Sequence, residues 1–344
     1  MLMPEIKKQS WDELQSLIQK SQSILLSTHI GADGDGLGSE IAFYYYLKSL
    51  SKTCRIINPT PLAYNLTAID PEGVVEEYSH SMNNCLSDVD LTIVFDIGDH
   101  RRVGKIGKQV YGKCTIVSID HHPARNDHPF DYSLVDASAP ATGYLIWKYF
   151  QHIGFTDTKL SINIASALYA SVVTDTGSFK YQSTTADTHY MAAYLIECGI
   201  DGYEIQKNIY EQRRLSQVKL LGEVIQSLHY SASGEIVWVI ISQHMIQKVN
   251  ASEGDVDGFA EFLRSIEGVE ISFMILEKSD GTHRISFRSS GRYAVNDVAQ
   301  KFKGGGHKFA AGASIKDISA KDIAKRIISQ FESKINGGSI GNQK

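Results

Sequence analysis

The chain has 344 residues, of which 42% are hydrophobic and 21% are charged, and its formal net charge at pH 7 is −5. This length suggests about two domains, and the hydrophobic fraction is sufficient for each of them to bury a core. The slightly acidic balance excludes a protein that bulk positive charge holds on long nucleic acid, but not one that binds a short nucleotide in a locally charged pocket.

The cysteines and the apolar segments indicate the compartment. The four cysteines are widely spaced and form no Cys-x-x-Cys pair, which argues against a thiolate zinc site and against a disulfide scaffold. The N-terminal sequence lacks the apolar core of a signal peptide, and no apolar run approaches the ~20 residues that span a bilayer. We therefore expect a cytoplasmic protein with no membrane partner.

The first part of the chain alternates predicted strands with predicted helices. Apolar runs predict strands at 24–29, 53–57, 91–96 and 115–120. Helical patterns cover 40–50, 142–150 and 162–173. This alternation predicts an α/β domain with a mainly parallel sheet flanked by helices.

The second part begins with a long helical stretch and then returns to mixed elements. Predicted helices cover 185–197 and 203–230, and the charged middle of the latter indicates a connector. The remaining pattern predicts strands at 235–241, 269–277 and 283–289 and helices at 242–249, 257–267, 295–302 and 319–333. We predict a catalytic domain at 1–200, a helical linker at 201–230, a smaller α/β domain with a mixed sheet at 231–335 and a disordered tail at 336–344.

The strongest local motif follows the first strand, where His29, Asp33 and Asp35 lie within seven residues among several glycines. In open α/β sheets, ligands bind beyond the carboxyl ends of the strands. The glycines are expected to let the backbone turn tightly, so that these side chains converge. By itself, either aspartate is more typical of a turn or a helix cap than of a metal ligand.

The same event recurs in three further segments. Asp96 ends the predicted strand LTIVFD, Asp120, His121 and His122 end TIVSID, and Asp175 follows the helical run at 162–173. Converging carboxylates repel one another unless cations neutralise them. A mixed Asp/His set without thiolates suits Mn²⁺ or a related divalent ion. Two such ions ~3.5–4 Å apart could activate a bridging water for attack on phosphorus.

These segments resemble, in order, the motifs of the DHH phosphoesterase superfamily. The first four are HIGADGDGLGS, the aspartate of VFDIGD, IDHH and VTDTG, and GGGH at 304–307 is similar to the signature of the DHH-associated substrate domain. Length and arrangement look most like the bacterial nano-RNase group, whose relatives include proteins called exopolyphosphatase-related. The resemblance implies an Mn-dependent hydrolase that acts on short oligoribonucleotides and on 3′-phosphoadenosine 5′-phosphate.

The resemblance also implies a metal-binding role for individual residues. His29 and Asp33 would hold one Mn²⁺, Asp35 and His121 would hold a second, and Asp96 would bridge the two ions.

Three further residues would complete the catalytic site. The resemblance implies that Asp175 is another metal ligand. It places His122 beside the scissile phosphate, where the imidazole would stabilise charge. Asp120 would orient a histidine ligand.

In the second domain the resemblance implies a grip on the non-scissile end of the nucleotide. Arg288 lies at the end of a predicted strand, and Gly304, Gly305, Gly306 and His307 follow a short helix. Consecutive glycines allow backbone N–H groups to approach an anion, and a histidine adds a donor. An exposed strand arginine and a flexible turn are the alternative interpretations.

Several other functions use related motifs. A phosphodiesterase for cyclic dinucleotides or pApA would carry the same motifs. A family II pyrophosphatase lacks GGGH in its second lobe, and RecJ-type exonucleases are usually longer. A non-catalytic nucleotide-binding regulator is expected to have lost metal ligands, and none is replaced here. The oligomeric state, including a homodimer, stays open.

Overall fold

A computed structural model describes residues 6–123 and 127–338. The chain divides into two compact units between Gln212 and Arg213. None of the helices in the described ranges combines the length and the apolar character that crossing a bilayer requires.

The first unit contains a six-stranded parallel sheet, which confirms the predicted fold class. Its strands are β1 Ser23–Ser27, β2 Thr53–Asn58, β3 Val75–Glu77, β4 Leu91–Phe95, β5 Thr115–Asp120 and β6 Tyr132–Val135. They lie in the order β3-β2-β1-β4-β5-β6, and all neighbouring pairs are parallel. The strand order reverses between β1 and β4, which is where ligands bind in sheets of this kind.

Helices cover both faces of this sheet. They are α1 Lys8–Lys20, α2 Gly34–Ser49, α3 Asn83–Ser87, α4 Gly107–Val110, α5 Thr142–His152, α6 Ile162–Asp175, α7 Ala186–Glu197 and α8 Gly202–Tyr210. Alternate strand residues enter two cores, since Leu26 and Ile93 pack on one face while Leu25 and Val94 pack on the other. Burial on both faces explains why the strand sequences are continuously apolar.

Helix α2 begins six residues earlier than predicted, and the glycines near its start do not form a turn. A Cβ on Gly34, Gly36 or Gly38 would lie less than 3.0 Å from an atom of a neighbouring element. These glycines are therefore needed for close packing of α2 and not for backbone flexibility. The expected tight turn is confined to Gly31, whose φ is 68°.

The second unit contains a six-stranded mixed sheet, as predicted. Its strands are β7 His229–Tyr230, β8 Ile236–Ile241, β9 Ile271–Glu277, β10 Thr282–Ser289, β11 Gly305–His307 and β12 Ala310–Lys316. They lie in the order β11-β12-β10-β9-β8-β7, with β8 and β9 parallel and the other pairs antiparallel. Its helices are α9 Leu215–Gln226, α10 Gln243–Lys248, α11 Phe259–Arg264, α12 Asn296–Lys301 and α13 Ala320–Gly338.

Two predicted boundaries differ from the structure. The continuous helix predicted at 203–230 is interrupted at 211–214, where an exposed charged run has no apolar side chain to bury. Helix α13 continues through Gly338, so residues 336–338 are helical and not disordered. Residues 339–344, the rest of the predicted tail, lie outside the described residues.

Candidate metal centre

The carboxyl ends of neighbouring strands bring several predicted ligands together. His29 follows β1, Asp96 follows β4 and His121 follows β5, and these three strands are adjacent in the sheet. Asp33 and Asp35 lie at the start of α2, and the carboxylate of Asp175 reaches the same place from the end of α6. Residues far apart in sequence thus share one edge of the sheet.

Among the described residues, three sets of donor atoms share Asp96, of which one contains His29 and another contains His121. In the first set, Nε2 of His29 lies 3.5 Å from Oδ2 of Asp33 and 3.4 Å from Oδ2 of Asp96. In the second, Nε2 of His121 lies 3.6 Å from Oδ2 of Asp35 and 3.4 Å from Oδ1 of Asp96. Each set has its donor atoms within 4.8 Å of one another. The two oxygens of Asp96 therefore face two different imidazoles.

The other ring nitrogen of each imidazole faces a backbone carbonyl. Nδ1 of His121 lies 3.2 Å from the carbonyl oxygen of Ala139, and Nδ1 of His29 lies 3.0 Å from that of Ile30. A carbonyl oxygen can only accept a hydrogen bond, so this contact favours the proton on Nδ1. Nε2 then faces the carboxylate cluster, and in the neutral imidazole its lone pair points there, which is the usual arrangement of a metal-binding histidine.

The main chain places Asp96 and makes room beside it. Asp96 has a φ of 53°, a left-handed conformation that aspartate adopts more readily than most residues. Gly98 follows with a φ of 52°, and a Cβ there would lie 3.0 Å from the ring of His122. This short turn therefore both aims the shared carboxylate and admits a second imidazole.

Asp120 holds His122. One oxygen of the Asp120 carboxylate accepts hydrogen bonds from the backbone N of His122 at 2.9 Å and from its Nδ1 at 2.8 Å. The other oxygen accepts from the backbone N of Gly98 at 2.8 Å. Nδ1 of His122 also lies 3.2 Å from Oδ1 of Asp96. The structure thus places His122 at the shared carboxylate, with its ring orientation set by Asp120.

Asp35 is held by residues that the sequence motifs did not identify. Its carboxylate accepts from the backbone N of Thr142 at 2.7 Å, from that of Gly143 at 3.1 Å and from the hydroxyl of Ser171 at 2.5 Å. The N-terminus of α5 and a side chain of α6 therefore stabilise its negative charge. The one sequence feature that pointed to this contact was the glycine at position 143, where any side chain would clash with Ser171.

A second series of supporting hydrogen bonds lies behind His29. The buried side chain of Glu40 accepts from Nδ2 of Asn58 at 2.5 Å, and Oδ1 of Asn58 accepts from the backbone N of Thr28 at 3.1 Å. Burial raises the pKa of Glu40 well above its usual value. These hydrogen bonds fix the backbone just before His29. Sequence patterns did not reveal them, because the residues that form them are separated by 12 to 30 residues in three elements.

Burial and neighbouring charges shift the pKa values of the carboxylates in the cluster. Burial, followed by the charge of Asp96, raises the pKa of Asp35 to about 6. Burial also tends to raise the pKa of Asp96, but hydrogen bonds from His121 and His122 outweigh it and hold that pKa well below its usual value. Burial raises the pKa of Asp175 well above its usual range. The cluster consequently needs positive charge, which protons or bound cations can supply.

The donor set fits a divalent metal ion. Asp35 and Asp96 are 0% and 2% exposed, so water cannot neutralise their charges. Imidazole nitrogens and carboxylate oxygens are donors that suit divalent ions such as Mn²⁺.

The substrate-binding residues predicted in the second unit make hydrogen bonds within that unit. Nε of Arg288 donates to Glu261 at 2.6 Å, and its Nη1 donates to the carbonyl oxygen of Phe287. Gly305, Gly306 and His307 form β11 and pair with β12, while the backbone N of Gly304 donates to the carbonyl oxygen of Ala299 at 2.9 Å. The alternative interpretation of this segment as a flexible turn is wrong, because residues 305–307 form a hairpin in which the glycines allow two backbones to approach closely.

Two family models match the chain. Residues 23–172 match the DHH family N-terminal domain, and residues 237–335 match the DHHA1 domain. The chain thus contains a DHH family N-terminal domain followed by a DHHA1 domain. The first match contains the sheet and most of the ligand cluster, and the second contains the mixed sheet except β7.

Known relatives cover nearly the full chain. A protein of Thermus thermophilus, named bifunctional oligoribonuclease and PAP phosphatase NrnA, is 27% identical over 89% of this chain and 88% of its own length. The Bacillus subtilis protein of the same name is 29% identical over 93% of this chain and 97% of its own length. An exopolyphosphatase-related protein from Bacteroides fragilis has the same fold, with a TM-score of 0.87, 23% identity and coverage of 96% and 97%.

Proposed function

We propose that this protein hydrolyses phosphoester bonds in short oligoribonucleotides and in 3′-phosphoadenosine 5′-phosphate. The products would be mononucleotides and AMP, respectively. The observation that carries the proposal is that Asp96 belongs both to the set of metal donors with His29 and Asp33 and to the set with Asp35 and His121. The names of the Thermus and Bacillus relatives support the substrate class.

We assign two Mn²⁺ ions to the cluster. His29 and Asp33 would hold the first ion, Asp35 and His121 would hold the second, and Asp96 would contact both. When bound, two such ions supply positive charge to a phosphate group and make a water molecule more acidic.

Asp175 would be a further ligand, since its Oδ2 lies 3.3 Å from Nε2 of His121. Its carboxylate reaches the cluster from the end of α6, so a bound metal would also connect this helix to the sheet.

The protein side chains around the cluster would orient the substrate and stabilise charge. Asp120 fixes the ring of His122 through Nδ1, so that its other nitrogen has a defined direction. His122 would donate from there to a phosphate oxygen and stabilise the charge that develops in the transition state. Asp120 acts on the reaction through this orientation.

The second unit would bind the rest of the nucleotide. We assign this role to the domain at 231–335, and the catalytic role to the domain at 1–200. Arg288, Gly304, Gly305, Gly306 and His307 are the proposed contacts. Arg288 donates one hydrogen bond from Nε and one from Nη1 within the unit. The guanidinium has five N–H groups, so further ones can donate to a phosphate.

One assay panel tests the function. The purified protein with Mn²⁺ is incubated with a 3-mer RNA, phosphoadenosine phosphate, pApA and pyrophosphate. We expect mononucleotides from the RNA and phosphate from phosphoadenosine phosphate, with no hydrolysis of pyrophosphate. Preference for pApA over both would favour the cyclic-dinucleotide branch of the family instead. Absence of all hydrolysis would refute the proposal.

Matched histidine variants test the metal assignment. His121→Asn should lower activity at least a hundredfold, because even the partners of metal ligands contribute about 10–100-fold. His152→Asn should retain full activity, since His152 ends α5 and contacts Asp12 on the surface. Full turnover by the His121→Asn variant would show that this residue is not a ligand.

A further inference from the structure

Arg102 lies against the first predicted metal ligand. It belongs to the short 3₁₀ segment His100–Val103 that follows β4. Its Nη2 lies 2.6 Å from Nδ1 of His29 and 3.5 Å from the carbonyl oxygen of Ile30. The carbonyl oxygen of Arg102 also accepts from the backbone N of Ile30 at 2.8 Å. The backbone thus holds this guanidinium beside the cluster.

The side-chain contact of Arg102 competes with another contact of the same nitrogen. Nδ1 of His29 also lies 3.0 Å from the carbonyl oxygen of Ile30. The guanidinium can only donate and the carbonyl can only accept, so Nδ1 can satisfy one of them at a time. An imidazole that binds a metal through Nε2 carries its proton on Nδ1 and donates it to the carbonyl. Whenever Nδ1 carries this proton, His29 offers Arg102 no acceptor, and the guanidinium can donate to another group.

The acidic surroundings of Arg102 differ from those of its neighbour. Among the residues that the structure describes, no carboxylate lies within ion-pair distance of its guanidinium. Its neighbour Arg101 differs in this respect, because its Nε and Nη2 both bind the carboxylate of Asp99. A partly buried guanidinium without a carboxylate is suited to bind phosphate oxygens through two parallel hydrogen bonds.

We propose that Arg102 is a substrate-binding residue, whose guanidinium binds a phosphate group of the substrate when the metal site is loaded. The proposal rests on the proposed function, since it requires a phosphate group in this site.

Equilibrium binding of AMP separates this role from a structural one. AMP is titrated into the Mn²⁺-loaded wild type and into the Arg102→Ala, Arg102→Lys and Arg101→Ala variants. We expect Arg102→Ala to weaken AMP binding by about 10-fold to 100-fold, the range for hydrogen bonds to charged groups. The AMP affinity of Arg102→Lys should lie between those of Arg102→Ala and the wild type. The AMP affinity of Arg101→Ala should match that of the wild type. Arg102→Gln replaces Arg102→Ala if the latter does not fold.

Mn²⁺ binding is measured on the same proteins without nucleotide. We expect the Arg102 variants to bind Mn²⁺ as tightly as the wild type or more tightly, because a positive charge beside the site has been removed. A loss of Mn²⁺ affinity in proportion to the loss of AMP affinity would mean that Arg102 positions His29, and would overturn the proposal.

Two other results would also overturn it. These are a change in AMP affinity of less than fivefold on Arg102→Ala, and no AMP binding by the loaded wild type. Failure of the proposed function is distinguishable, because it appears as absent hydrolysis of the 3-mer RNA by the wild type.

Discussion

At the scale of single residues, several aspartates have two contacts that sequence analysis treats as alternatives. Oδ1 of Asp33 caps α2 by accepting from the backbone N of Asp35 and of Gly36, while its Oδ2 faces His29. Asp35 likewise accepts from the start of α5 while one oxygen lies near His121. A carboxylate has two oxygens, so a helix cap and a ligand position are compatible in one residue.

Asp120→Asn tests the role of this carboxylate in orienting His122. The amide nitrogen of asparagine cannot accept, so either the contact with Gly98 or the contacts with His122 must be lost. We expect kcat to fall by about 10–100-fold, with Mn²⁺ affinity nearly unchanged. Steady-state kinetics with a 3-mer RNA and calorimetry with Mn²⁺ provide the two readouts.

The control for this substitution is Asp131→Asn. Asp131 accepts from the backbone N of Ile116 near the opposite end of β5. Its replacement should leave kcat unchanged. An equal loss of kcat in both variants would point to a general effect on the strand and not to the orientation of His122.

At the scale of elements, close packing of α2 decides the geometry of the site. Residues 34–43 of this helix are all buried, so the helix has no exposed face in its first half. A helix buried on all sides lacks the 3.6-residue alternation on which sequence-based prediction depends. This explains why its start was placed at residue 40. The glycines in its first turns bring Asp33 and Asp35 up to the sheet.

Gly38→Ala tests this packing. A Cβ at Gly38 would lie less than 3.0 Å from the carbonyl oxygen of Ala167 on α6, and a backbone atom cannot move aside easily. We expect a loss of about 1–3 kcal/mol in the free energy of unfolding. Urea denaturation followed by circular dichroism measures it.

Gly222→Ala is the matched control. Gly222 lies in α9, and a Cβ there would have no neighbour within 4 Å. Alanine should therefore stabilise the protein by about 0.5–1 kcal/mol through its better helix propensity. If both substitutions stabilised the protein, the close approach of α2 and α6 would be disproved.

At the scale of the whole molecule, the cluster links stability to pH and to metal. Burial opposes the charge on His29, but Asp33 and Asp96 outweigh it and raise its pKa to about 10. The pKa of His122 is likewise raised to about 10, by Asp120 and Asp96 against the effect of burial. Since these values exceed the ordinary 6.5, the charged imidazoles stabilise the metal-free fold below pH 6.5. This contribution is lost as the pH rises through about 10.

The melting temperature should therefore respond to metal in a pH-dependent way. Metal binds neutral imidazoles, so metal affinity rises as the pH rises. The metal-free fold loses stability over the same pH range. We expect the difference in melting temperature between Mn²⁺-loaded and EDTA-treated protein to grow from pH 6.5 to pH 8.5. Differential scanning fluorimetry measures it, with His121→Asn as the control in which the difference stays small. A difference that narrows with rising pH would contradict the assignment.

The sequence by itself determined the fold class, the parallel and mixed sheets and the residue types available at the ends of β1, β4 and β5. Continuous apolar runs report strands buried on both faces, and polar residues at their ends are visible locally. The family resemblance already implied which carboxylate accompanies which imidazole, but only the tertiary structure decided that Asp35 is held by Ser171, 136 residues away. It also decided the contact between Arg102 and His29, across 73 residues. Local periodicity records whether a residue is buried, whereas the partner of a buried polar group is set by how distant elements pack.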